Sequence, residues 1–175
     1  KLISSDTAQK AFITNAIHLV NSKALDGVTL DFEYVGQPSQ KVTDGFTRLV
    51  TNLSAEMKRQ VPNASLSLAT YIHSGSVPGF FDIQLLTDHI DYFVVMGYDF
   101  YTPSGNPGAL APMNGSYSIP SYMQGYLEKT TPDKLILAFG HYGYDWPIEN
   151  PAGNGGMLSY AEIAAMSRRY QLHWN

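Results

Sequence analysis

Four strand-length runs, at residues 25–34, 65–71, 91–98 and 134–139, are separated by stretches with helical periodicity, and no hairpin turn joins one run to the next. Strands that alternate with helices in this way pair in parallel through right-handed crossovers, so the sequence predicts an α/β fold built on a parallel sheet. The first helix is expected over residues 6–24. There Ala8, Phe12, Ile13, Ala16, Ile17 and Val20 recur at helical spacing, and Asp6 with Gln9 has the form of a capping box. A second is expected over 40–60, on the apolar stripe of Val42, Phe46, Leu49, Val50, Leu53 and Met57, with Pro62 stopping it. Shorter helices are expected at 82–89 and 120–129, and Ser159 with Glu162 forms a capping box for a last one reaching about Tyr170.

Length limits how such a sheet can close. A complete (β/α)8 barrel takes about 250 residues, and four strands cannot close one. The 175 residues are therefore read as a single partial TIM-barrel domain, about strands four to seven, with the first three strands and the last outside the chain. An open doubly wound sheet is the alternative fold, but no glycine-rich phosphate turn follows the first strand. Residues 91–98 (DYFVVMGY) are an apolar run that suits a parallel strand buried on both faces. The connection at 100–118, rich in Gly, Pro, Tyr and Asn, reads as a binding loop, and a second aromatic loop follows the 134–139 strand.

Composition removes several classes of function. A net charge of −4 with 11 scattered Lys and Arg offers no basic surface for nucleic acid. The absence of cysteine excludes disulfides and thiolate metal sites, and the histidines at 18, 73, 89, 141 and 173 lack metal-ligand spacing. No metal and no cofactor are expected. No apolar run reaches the roughly 18 residues of a membrane span, and these residues include no targeting segment.

The chemistry concentrates in the first strand-length run, LDGVTLDFEY. Alternation puts Thr29, Asp31 and Glu33 on one face and Val28, Leu30 and Phe32 on the other. Two carboxylates about 6.6 Å apart along the backbone then point the same way, an arrangement that general-acid chemistry can use. The stretch DGVTLDFE resembles the DGxDxDxE signature of the family 18 glycoside hydrolases, the chitinases and their relatives, with Asp26, Gly27, Asp31 and Glu33 on matching positions. Thr29 departs from the pattern, standing where the family usually carries an Asp. Met96, Gly97, Tyr98 and Asp99 resemble the family's MxYD motif. Tyr142 and Gly143 resemble its YG element, although Gly140 stands where a Pro is usual. The segment PGALAP at 107–112 looks like the bacterial branches that act on cell walls.

The resemblance implies a retaining hydrolase of β-1,4 bonds in N-acetylglucosamine polymers, chitin or peptidoglycan glycan, working without a protein nucleophile. It implies Glu33 as acid and base, Asp31 as partner of the substrate's acetamido group, Tyr98 as a donor to that group and Asp99 as an orienting residue. Thr29 and Met96 would line the substrate, and Tyr101, Tyr142, Tyr144 and Trp146 would offer aromatic faces to sugar rings. The expected partner is a polysaccharide or oligosaccharide, the expected place outside the cell or in its envelope, and the complete protein a monomer. A catalytically silent, carbohydrate-binding relative of the chitinases is the alternative, although such relatives typically lack the acid that Glu33 supplies. A structural domain of a wall-associated protein is a further alternative, which leaves the polarity of Asp31, Tyr98 and Asp99 without a reason.

Overall fold

A computed structural model describes residues 2–34, 36–147, 149 and 153–169. Its elements run α1 (Asp6–Lys23), β1 (Gly27–Leu30), α2 (Gln40–Gln60), β2 (Ser65–Tyr71), α3 (Ile83–Leu86), β3 (Tyr92–Met96), α4 (Ile119–Leu127), β4 (Leu135–Ala138), β5 (Tyr142–Asp145), β6 (Gly156–Ser159) and α5 (Tyr160–Arg169). The chain divides into two compact units, Lys1–Met96 with Tyr122–Leu137 and Gly97–Ser121 with Ala138–Asn175.

The first unit carries a sheet in the order β1-β2-β3-β4, and β1–β2 and β2–β3 are parallel, as the alternation of helices and strands predicts. Leu30 pairs with Leu68 and Leu68 with Phe93, so one row of apolar residues crosses the sheet on a single face. That face is buried, with Leu30, Leu66, Leu68, Thr70, Phe93 and Val95 each under a tenth exposed. The α2 stripe read from the sequence is its cover, since Phe46, Leu49, Val50, Leu53 and Met57 are all buried. Phe46 sits at the centre of a ring cluster with Phe32, Phe80 and Phe81, at centroid distances of 5.4, 4.4 and 5.7 Å. Burying a side chain of that size contributes about 2–3 kcal/mol.

Four expectations change in detail. The cap of α1 is Ser5, whose side chain accepts from the Ala8 amide at 3.3 Å. Gln9 plays a different part, being buried with its side-chain amide donating to the Ile3 and Gly45 carbonyls at 2.9 and 3.0 Å. The helix predicted at 82–89 is a single turn at Ile83–Leu86. The strands are shorter than the apolar runs, because the β1 ladder stops at Leu30 and β3 at Met96. Nor is β3 buried on both faces: Tyr92 is exposed, and Val94 and Met96 are half-buried. Their register partners on β2 on that side are Ser67, Ala69 and Tyr71.

In the second unit the Gly97 amide donates to the Ala138 carbonyl at 2.9 Å. The loop before α4 is ordered by its own bonds, from the Phe100 amide to Leu110, from the Tyr117 hydroxyl to Phe100 and from the Ile119 amide to Pro112. After β4 the expected aromatic loop is in part an antiparallel hairpin, with Tyr142 opposite Ser159 and Asp145 opposite Gly156. No short turn announces it, because the connection runs over residues 146–155. The capping box of α5 forms as read: the Ser159 amide donates to Glu162 at 2.7 Å, and the Glu162 amide to the Ser159 hydroxyl at 3.4 Å. The expected helix end at Tyr170 lies outside the described residues. Among those described, no helix is long and apolar enough to cross a membrane.

Tyr126 locks the first unit from α4. Its ring is fully buried, and its hydroxyl donates to the Tyr71 carbonyl at 2.7 Å and lies at the same distance from the Thr70 hydroxyl. Burial pushes this phenol well above the ordinary tyrosine range. Tyr126→Phe in the protein that carries this chain leaves buried acceptors without their donor, an expected cost of about 1–3 kcal/mol. Chemical denaturation is the check: the midpoint falls with its slope unchanged, and an unmoved midpoint contradicts this account.

Candidate active site

The first cluster grows from the way β1 meets β2. Gly27 is opposite Ser65 at the start of the ladder, where a Cβ would come within 2.3 Å of the Ser65 carbonyl oxygen, so only glycine allows this approach. Two residues on, Thr29 pairs with Ser67, and their hydroxyls bond at 2.7 Å. Alternation then outlasts the ladder. Thr29, Asp31 and Glu33 are exposed, Leu30 is buried, and Phe32 and Tyr34 are half-buried. The two acids therefore stand on the Thr29 side, as the sequence predicts, although they lie beyond the strand. Phe32 anchors the segment between Phe12 and Phe46, and Tyr34 stacks on Phe80 at 5.2 Å.

One residue of this cluster is missed by the sequence motifs. Tyr71 ends β2 on the same face as Ser67 and Ala69, and its register partner on β3 is Met96, a predicted substrate residue. Its hydroxyl donates to the Tyr34 carbonyl at 3.4 Å. Burial raises its pKa most, and the charge of Glu33 and, less strongly, of Asp31 raises it further, which puts the phenol near both acids. The signal available in the sequence is alternation itself, since 67, 69 and 71 run along β2 as 29, 31 and 33 run along the first segment.

The second cluster centres on Asp99. Its backbone is left-handed, with a φ of 58°, a conformation that Asp accepts more readily than most residues. One carboxylate oxygen, Oδ1, accepts from the Tyr142 hydroxyl at 2.6 Å and from the Tyr144 hydroxyl at 2.7 Å. Charge-assisted bonds of this length are the strong kind, so β5 holds Asp99 by two phenols that alternate along one strand face. Tyr98 meets Tyr142 edge to face at 6.2 Å. Burial pushes both Tyr142 and Tyr144 above the ordinary tyrosine range, and Asp99 adds to each by bond and by charge.

The other predicted loop aromatics are packed locally. Tyr101 lies against Gly108, where a Cβ would come within 2.5 Å of its ring, and meets Tyr117 at 5.6 Å. Trp146 is half-buried against Tyr144 at 5.8 Å, and its indole nitrogen is buried without a partner among the described residues. The structure thus gathers Thr29, Asp31, Glu33 and Met96 on one side of the first unit's sheet. In the second unit it gathers Tyr98, Asp99, Tyr142, Tyr144 and Trp146, while Tyr101 packs with Tyr117. Among the described residues no group of three acidic or imidazole side chains is arranged to hold a metal. Chemically, the first cluster offers two exposed carboxyl groups for proton transfer, and the second a braced carboxylate that accepts hydrogen bonds.

Comparison with known proteins gives the chain its relatives. A family model described as glycosyl hydrolases family 18 matches residues 1–175. A class V chitinase of Arabidopsis thaliana is 26% identical over 162 residues, which cover 85% of this chain and 42% of the relative. A cortical fragment-lytic enzyme of Bacillus anthracis is 24% identical over 179 residues, covering 98% of this chain and 39% of the relative. The solved structure of a class V chitinase mutant from Cycas revoluta, in complex with (GlcNAc)3, superposes with a TM-score of 0.81 at 25% identity, over 96% of this chain and 55% of the other. The chain thus spans about half or less of the length of these relatives.

The tyrosine clasp on Asp99 sets a dependence on alkaline pH. Because Tyr142 and Tyr144 ionise at higher pH in the folded protein than their ordinary value of 10.0, the folded state binds more protons there. Their contribution to stability is fully present below about pH 10 and is lost as pH rises further through the raised values. Asp99→Asn removes the carboxylate's share of the effect. Ultraviolet titration of the phenols is expected to show two late-ionising tyrosines moving to lower pH in that variant, and an unchanged titration curve contradicts the clasp.

Proposed function

The chain belongs to family 18 of the glycosyl hydrolases, and on that premise we propose that it forms the acid-bearing part of a catalytic domain that hydrolyses β-1,4 bonds in N-acetylglucosamine polymers with retention of configuration. The observation that carries the reading is the side of the sheet on which Asp31 and Glu33 both stand exposed, in the DGVTLDFE segment. In the partial barrel of the first unit these residues follow the C-terminal end of β1, the end of barrel strands where catalytic groups collect.

The proposed reaction needs no protein nucleophile. Glu33 gives its proton to the glycosidic oxygen as the bond from the anomeric carbon to that oxygen breaks. The carbonyl oxygen of the substrate's own 2-acetamido group bonds to the anomeric carbon and forms an oxazolinium ring. Asp31 carries negative charge where this ring is positive, and Tyr98 donates to the acetamido oxygen. The Glu33 carboxylate then takes a proton from water, whose oxygen attacks the anomeric carbon and reopens the ring. Asp99 accepts from the sugar near the scissile bond. Thr29 and Met96 are assigned to the acetamido group, and Tyr142, Tyr144, Trp146 and Tyr101 to aromatic contacts with sugar rings. Asp31 lies only two residues from Glu33 on the same side, which suits it poorly to attack from across the sugar ring.

The polymer, chitin or peptidoglycan glycan, lies outside the cytoplasm, so the protein is expected to work outside the cell or in its envelope. Relatives of both kinds support the substrate class, a class V chitinase and a cortical fragment-lytic enzyme.

Two measurements on the full-length protein check the proposal. Glu33→Gln keeps shape and loses the transferable proton, so turnover of N-acetylglucosamine oligosaccharides is expected to fall by about 10²–10⁴-fold while binding persists. Turnover above a few percent of the unmodified protein removes Glu33 from its role. Proton NMR of the first-formed anomer is expected to show retention, with no hydrolysis of matched substrates carrying a free 2-amino or 2-hydroxyl group. An inverted product, or equal rates without the acetamido group, rejects substrate assistance.

A further inference from the structure

The acid at Glu33 stands three residues past the last β1 ladder partner, Leu30, so parallel pairing with β2 does not hold its backbone. Among the described residues, a side chain ties this departing segment to β2, the Tyr71 hydroxyl donating to the carbonyl of Tyr34, the residue after Glu33. Tyr71 is itself fixed from three directions. Its carbonyl accepts from the buried Tyr126 hydroxyl at 2.7 Å. Its ring stacks on His73, with centroids 5.4 Å apart and planes within 4°, and Phe81 meets it edge-on at 5.7 Å. A cleft of about 70 Å³ lies alongside, lined in part by Tyr34, Tyr71, His73 and Phe80.

We propose that Tyr71 is a positioning residue for the acid, its hydroxyl tethering the chain at the Tyr34 carbonyl, one residue past Glu33, and the Tyr71–His73 stack fixing that hydroxyl in turn. The proposal rests on the assignment of Glu33 as the proton donor. A rigid phenol suits this role because its hydroxyl moves only with the ring, and the ring is clamped between an imidazole and a phenylalanine. Burial holds His73 below the ordinary histidine range, so at neutral pH the stack presents a neutral ring. At 3.4 Å the bond is longer than a usual hydroxyl–carbonyl bond, so the ring packing carries much of the restraint on Tyr71.

Tyr71→Phe in the full-length protein keeps the ring and its stack and deletes only the hydroxyl. On an N-acetylglucosamine oligosaccharide, kcat is expected to fall about five- to tenfold, the loss of roughly one hydrogen bond, with KM within about twofold and the melting temperature unmoved. His73→Ala frees the ring and is expected to lower kcat by about twofold to fourfold, but only while the hydroxyl is present. In the Tyr71→Phe background the same change is expected to have no further effect. Unchanged kcat in Tyr71→Phe, or fully additive effects of the two substitutions, overturns the proposal. So does a loss of kcat that merely follows a lowered melting temperature and recovers on cooling. If the unmodified protein does not hydrolyse the oligosaccharide at all, the reading of Glu33 as acid falls, and this inference with it. A Tyr71→Phe protein as active as an active parent sinks the positioning role alone.

Discussion

The register of β1 on β2 is the constraint on which the first unit's chemistry depends. Side chains of a strand alternate with a period of two, so a slip of one residue would send Asp31 and Glu33 to the helix-covered face and Leu30 and Phe32 outward. Several contacts forbid that slip at once. Gly27 fits against the Ser65 backbone where no Cβ can enter, the Thr29 and Ser67 hydroxyls bond across the pair, and Leu30 with Leu68 is buried under the helices. Each is small alone, but all select the same register, and the carboxylates inherit their side of the sheet from it.

Above Leu30 the means of holding the chain changes. Ladder hydrogen bonds give way to ring packing, with Phe32 between Phe12 and Phe46 and Tyr34 on Phe80. This exchange frees the segment from strand geometry, and it puts its order at the mercy of side chains. The second unit uses a related device at Asp99, where an uncommon left-handed backbone coexists with a carboxylate held by two tyrosine hydroxyls. Backbone of this sort persists only where its surroundings over-determine it, and it gathers at functional sites.

What the sequence disclosed follows from this division. Patterns that repeat were legible: the alternation of helices and strands, the α2 stripe under the sheet, the face shared by Thr29, Asp31 and Glu33, and the Ser159–Glu162 box, which all rest on spacing along one element. Features that depend on a distant partner were not. Gln9 resembles half of a capping box, but the Gly45 carbonyl of the next helix claims its amide. The β5–β6 hairpin lacked a turn signature because its strands are joined by a long connection. The apolar run at 91–98 looked buried on both faces, but the side that carries Tyr92, Val94 and Met96 is only partly covered, which no pattern within the run itself announces. Tyr71 carried the right alternation but no motif, and its place beside the acids emerges only when β2 is laid against β1.

Thr29 is where sequence and structure together say something neither says alone. The motif has a hydroxyl where a carboxylate is usual, and the fold supplies a second hydroxyl, Ser67, 2.7 Å away. Two hydroxyls carry two protons and spend one on their mutual bond, so the pair keeps one donor for a neighbour on the same side of the sheet. A carboxylate in that position would bring a negative charge and a site for a migrating proton; the Thr29–Ser67 pair brings neither. The pair can donate a hydrogen bond to a neighbouring carboxylate without changing charge. The sheet below the acids is therefore electrically neutral, and the charge on this face is left to Asp31 and Glu33 themselves.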